Sequence, residues 1–412
     1  MNKSNKIMVY IQGYLIFTIV SYIIMYTNEY NNILYTTLYS LMNFFMLFMG
    51  FFPNWKSTKV SEKIKKRYEY DNMEFFLIAC AIISIIISIN NVLSFYDSTA
   101  DLIKYITNPG AAYEYVKLQR YRGVVNEYAA QANPLIGIIL NILTFTKFIV
   151  INFTIIYWKK LTKINKVICC SSIVINLIQS FLIGAMINVG AYFMSVFPLI
   201  VYGAEKSKKK ILPKLKRYGI IVLSAFVLIY FMGTRFVQYE SGNMFSIILA
   251  GIEELMFYIA HGYVGLSFCL QLPFKPTWGQ TTFRGLATFF LPKLGIQSNF
   301  SSSYLVRSEM QNGWKSLQVW STIFPWLASD FTFILVPFIM FITGVFMKKV
   351  WIHAREDENP FAFVMMGQMI IFCFMIPANN QLFHTFGNAM GTILLFLLYR
   401  RSVKGGKRIK LR

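Results

Sequence analysis

Apolar runs of about twenty residues recur along the whole chain, each cut off by a polar connection that is often short and basic. Twenty apolar residues in helical conformation span the hydrocarbon core of a bilayer, whereas a soluble domain of this size would need an implausibly apolar interior. The runs dictate an all-α, polytopic integral membrane protein, with 1–412 forming a single membrane domain. Composition agrees, with 56% hydrophobic and 14% charged residues. At the N-terminus, MNKSNK precedes the run Ile7 to Met25. No small-residue cleavage site follows, so this first run is expected to stay as a span.

The charges orient the spans. The expected spans are Met8–Tyr26, Leu34–Phe52, Phe75–Phe95, Pro134–Trp158, Val167–Ile187, Val189–Tyr202, Tyr218–Met232, Thr322–Met347, Pro360–Pro377 and Leu382–Tyr399. The sixth is short and is joined to the fifth by a tight turn near Asn188. On this division the cytoplasmic segments hold 29 Lys and Arg against 8 Asp and Glu, and the outer segments hold 10 against 9, with Lys147 and Asp330 inside spans. Cytoplasmic loops carry such an excess, so both termini are expected in the cytoplasm. The count is ten spans, or twelve if the hydrophobic, hairpin-like element Met244–Leu272 crosses twice. The first extracytoplasmic loop is 96–133, and the large late one, 233–321, contains that membrane-associated element. The net charge of +22 thus follows topology and does not indicate a nucleic-acid partner. The five cysteines lie inside apolar runs without metal-ligand spacing, so neither a disulfide nor a metal site is expected.

Within the late outer region, Glu254, Tyr258, His261 and Gly265 recur at helical spacing and share one face of a helix. A desolvated carboxylate or imidazole there can relay a proton. Alternatively, the helix lies at the membrane interface with this side in water. Arg120 and Arg122 in the first outer loop, with Arg235, Arg284 and Arg307 in the second, are the arginines of the outer segments. Their planar forks match phosphate or diphosphate oxygens, though each can also serve as a surface ion pair. Lys147 lies deep inside the fourth span, where an ionisable group needs a partner or a water-filled cavity. Asp330, in the eighth span, is a candidate partner or proton acceptor. Aromatic residues of the outer loops, among them Trp278, Trp314 and Trp320, suit either sugar stacking or the interfacial belt.

Several chemistries lack their residues. The chain has no phosphate-cradling Gly-rich loop, no Cys- or His-rich constellation, no Gly-x-Ser-x-Gly elbow and no Asp-x-Asp pair. Nucleotide-driven transport and nucleotide-sugar chemistry are accordingly not expected, and no cofactor is.

The layout, together with Tyr258-Ile-Ala-His261-Gly-Tyr263-Val-Gly265 and Gly279-Gln-Thr-Thr-Phe283-Arg284-Gly285, resembles the bacterial oligosaccharide repeat-unit polymerases of the O-antigen and capsule type, the Wzy family. Arg284 to Gly295 also fits the Arg, ten residues, Gly spacing of some members. The resemblance implies a metal-independent glycosyltransferase at the outer face of the bacterial cytoplasmic membrane, making O-antigen, capsule or exopolysaccharide. Its substrates would be undecaprenyl-diphosphate-linked repeat units, and its partners a flippase and a chain-length regulator. On this reading Arg284 and the other outer arginines stabilise the diphosphate leaving group, while His261, or Glu254, takes the proton of the attacking hydroxyl. Lys147, Asp330, Tyr258 and Trp278 line the substrate site. Three rivals remain: a transporter or flippase of lipid-linked oligosaccharides, a membrane acyltransferase using His261 or His384, and a purely structural or assembly protein.

Overall fold

The computed structural model describes residues 6–26, 32–52, 70–94, 96, 115, 134–183, 186–206, 244–317 and 320–404. Every regular element among them is helical. In chain order these are α1 (Lys6–Tyr26), α2 (Ile33–Phe51), α3 (Tyr70–Leu93), α4 (Pro134–Ile142), α5 (Thr146–Tyr157), α6 (Lys163–Leu182) and α7 (Met186–Lys206). After them come α8 (Met244–Cys269), α9 (Arg284–Lys293), α10 (Tyr304–Asn312), α11 (Ile323–Glu356), α12 (Pro360–Met375) and α13 (Phe386–Lys404). A 3-10 turn, Leu143–Phe145, joins α4 to α5.

Eight helical stretches among the described residues, one of them α4 and α5 taken together through the 3-10 turn, are long and apolar enough to cross a membrane, which makes the chain a multi-pass membrane protein. They include α8, which is one continuous helix of 26 residues and not a hairpin. At 1.5 Å per residue it is about 39 Å long, enough for a single crossing, so the double crossing considered from the sequence does not occur. α7 likewise corrects the expected sixth span: it starts at Met186, places Asn188 inside the helix and runs for 21 residues. The expected seventh span, Tyr218–Met232, lies outside the described residues.

In a bilayer, helices gain little from burying apolar surface against one another, so close backbone approach matters more. α2 and α11 show this: a Cβ on Gly50 or Gly344 would collide with the partner helix's backbone, near Val345 N at 3.0 Å and Phe51 N at 2.9 Å respectively. Small polar groups add specificity, as where the Asn176 amide of α6 donates to Ser84 Oγ of α3 at 2.8 Å. The main core gathers α1, α2, α8, α11 and α12 around Tyr22, Tyr263, Phe324 and Trp351, and a second cluster joins α3, α5 and α6 to α12 and α13.

The basic helix ends meet at one end of the bundle. There Lys206 pairs with Glu358, Arg355 with Glu205 at 3.1 Å, and Lys348 sits over the Phe51 ring. The opposite end carries the α12–α13 turn and the segment that holds α9.

Candidate functional site

Residues 270–283 follow α8 without joining a helix, so neighbours must satisfy their backbone. Asp330 does much of this. Its carboxylate accepts the Gly279 and Thr282 amides at 2.7 Å each, and the Thr277 hydroxyl as well. Asp330 stands on α11 two residues before the helix is interrupted at Thr332, with φ 65°. From the other side, the Asn380 amide donates to Thr282 O at 2.7 Å.

The turn, anchored on both sides, delivers Arg284 to the start of α9. The Gly285 amide donates to Phe383 O at 2.8 Å, and a Cβ at Gly285 would run into the Thr385 backbone and reach 2.7 Å from Phe386 N. A residue with no side chain is what lets α9 sit this close to the α12–α13 turn. Phe289 completes the contact by stacking on Phe386 at 3.9 Å.

As a result Arg284 stands beside His384. Its guanidinium lies 4.7 Å from the Phe300 ring centre and 6.0 Å from that of Trp326, and Trp326 lies 5.7 Å from His384. Trp326 is 1% exposed, and its indole N–H has no hydrogen-bond partner among the described residues. Burial, followed by the charge on Arg284, lowers the His384 imidazole to about 4, so the ring is neutral at pH 7. The cluster presents a guanidinium and an indole N–H as donors, with a neutral imidazole as base. Such a set can hold a phosphate oxyanion while taking a proton from a nearby hydroxyl.

The other candidates are placed as follows. His261 is 1% exposed, stacks on Phe257 at 4.3 Å and hydrogen-bonds the Phe257 carbonyl, with Trp314 and Trp320 beyond it. Tyr258 packs on Trp320 at 4.9 Å, and Gly265 faces Trp314 and Ser321. The polar face of α8 is thus covered by protein at His261 and Gly265, while Glu254 is half-buried two turns before His261. Arg307 donates to Ser302 O at 2.9 Å and Pro273 O at 2.8 Å, bracing the loops around α10. Trp278 is 77% exposed, with φ 54°, at the tip of the turn that Asp330 holds. Lys147 faces a cleft lined by other residues, so the structure does not bring it to Asp330. Arg120, Arg122 and Arg235 lie outside the described residues.

Gly295, the second half of the Arg-to-Gly spacing, has φ +66° just past the end of α9, where a left-handed residue closes a helix. In this chain the spacing measures one helix. His384 was visible in the sequence only as a base for a rival chemistry, and Trp326, inside an apolar run, carried no sequence signal.

These features define an all-helical, multi-pass membrane protein with a cationic, aromatic cluster where an interhelical turn meets the bundle. No family model, no curated protein and no solved structure matches the chain.

Proposed function

We propose that this protein is a membrane glycosyltransferase that polymerises undecaprenyl-diphosphate-linked oligosaccharide repeat units at the outer face of a bacterial cytoplasmic membrane. The observation that carries the reading is Arg284 beside neutral His384, with the Trp326 ring near both. In the proposed reaction an acceptor sugar hydroxyl attacks C1 of the donor sugar. The bond from C1 to the diphosphate oxygen breaks, and its electron pair leaves with the lipid diphosphate. Arg284 stabilises the charge that builds on that leaving group. His384 takes the hydroxyl proton. An imidazole at about 4 is a weak base; a bound diphosphate offsets the guanidinium charge, the lesser of the two causes of that lowering, and so strengthens the base in the loaded site. We place the base at His384 in preference to His261 because His261 is enclosed by Phe257, Trp314 and Trp320.

The test is to incubate purified protein with lipid-linked repeat units, without metal or nucleotide, and to look for a ladder of glycan lengths. The ladder is expected with wild type and lost in Arg284→Ala and His384→Gln. A ladder that survives His384→Gln and disappears in His261→Gln would move the base to α8. Folded protein that makes no ladder but carries lipid-linked sugar across a vesicle membrane would replace the polymerase reading with the transporter.

A further inference from the structure

A separate cleft opens between the α4–α5 turn, α7, α12 and α13. It has about 30 Å³ accessible to the centre of a water molecule, and its polar lining includes Lys147, Gln368, Asn188, Gln381, Asn388 and Thr392. The 3-10 turn at Leu143–Phe145 helps to build it. Three residues wound at three per turn rotate the following helix by about 60° relative to a continuous α-helix, which changes the face on which Lys147 projects. Gly387 and Gly391 of α13 form the opposite wall. A Cβ on Gly387 would come within 2.9 Å of Asn141 O, and one on Gly391 within 3.0 Å of Phe145 Cβ.

Two donors in this cleft lack acceptors. Gln368 is 3% exposed, and its side-chain nitrogen makes no hydrogen bond among the described residues. Lys147 contacts the ring of its neighbour Phe148 at 5.2 Å and has no carboxylate partner among the described residues. A charge at this depth is costly unless a partner or water compensates it. Three other lining donors are engaged: the Thr144 hydroxyl bonds Asn141 O at 2.8 Å, the Asn388 amide bonds Gln381 O at 3.0 Å, and the Thr392 hydroxyl bonds Leu382 O at 3.5 Å. Among the described residues no Asp or Glu lines the cleft, so no carboxylate there repels an anion. What the described lining lacks is a charged acceptor, and because one of the two donors is a cation, an anion fits best.

We propose that this cleft is a second anion site, in which Lys147 and Gln368 hold the phosphate oxygens of a phosphate- or diphosphate-bearing ligand. It is distinct from the Arg284–His384 cluster and does not depend on the glycosyltransferase reading.

The test measures binding of geranyl diphosphate and of inorganic diphosphate to purified Arg284→Ala protein in zwitterionic nanodiscs, with geraniol as the uncharged control. The Arg284 substitution removes the cation of the other cluster. Binding is expected, weakened at least tenfold by a further Lys147→Met and several-fold by Gln368→Leu, and largely kept by Lys147→Arg. Geranyl diphosphate binding much more tightly than inorganic diphosphate would identify the ligand as an amphiphile. Equal binding would identify a free anion. Without ligand, Lys147→Met is expected to raise the melting temperature, because it removes an uncompensated charge. Absence of binding, binding unchanged by Lys147→Met, or a lower melting temperature in that variant would overturn the proposal.

Discussion

His384 is held neutral by burial and by Arg284, and that has a consequence for stability that can be measured. The unfolded chain takes up a proton near pH 6.5, whereas the folded one does so only near 4. Below 6.5 the unfolded state therefore binds more protons, and stability falls as pH drops toward 4, by roughly 3 kcal/mol for this group. Wild type is expected to lose more melting temperature between pH 7 and pH 4.5 than His384→Gln does. Equal losses would show that His384 does not titrate as its surroundings require. A neighbouring residue acts purely by its size. Gly285→Ala adds a methyl that would meet the Thr385 backbone, so α9 must move away from His384. Overpacking of this kind costs about 1–3 kcal/mol. Any ladder synthesis is expected to fall at least tenfold in Gly285→Ala while the protein still folds, and unchanged synthesis would mean that the Arg284–His384 approach is not needed.

Among the elements, the turn at 277–283 depends most on a single side chain. Asp330 accepts two backbone amides and a hydroxyl, and hydrogen bonds to a charged acceptor contribute about 1.5–3 kcal/mol each. Asp330→Ala is expected to loosen the turn, seen as faster proteolysis between Leu272 and Arg284 with the helical circular dichroism unchanged. Asp330→Asn keeps one acceptor oxygen, loses the charge and turns an NH2 toward the remaining donors, so it should fall between the two. If neither variant speeds cleavage, the turn is held by its other contacts, Asn380, Gly285 and the Ser329 and Trp326 carbonyls. This anchoring was hidden in the sequence, where Asp330 stood in an apolar run and invited pairing with Lys147. Periodicity shows which residues share a helix face, but not which loop the face will meet. The same limit applies to α8: the spacing of Glu254, Tyr258 and His261 was legible, while the cover of Trp314 and Trp320 over it depends on chain that lies some fifty residues away.

At the scale of the whole molecule, the basic helix ends gather at one face, and positive residues are retained on the cytoplasmic side during insertion. With the native cysteines replaced, a membrane-impermeant thiol reagent applied to intact cells is expected to label Trp278→Cys and not Lys349→Cys. Inverted vesicles should give the opposite result. Labelling of both positions from the same side would overturn the proposed orientation.

The class of this protein was determined by its sequence alone: the length of an apolar run and the residue types at its ends are local properties, and they are enough to specify helices that cross a membrane. The arrangement of the site was decided only by tertiary structure. Arg284 and His384 are a hundred residues apart and meet because Gly285 lets one backbone rest on another. Lys147 is set apart from Asp330 because that carboxylate is taken up by the 277–282 turn while Lys147 lines a cleft between other helices. Such contacts depend on how separate helices pack, and no spacing along the chain encodes that packing.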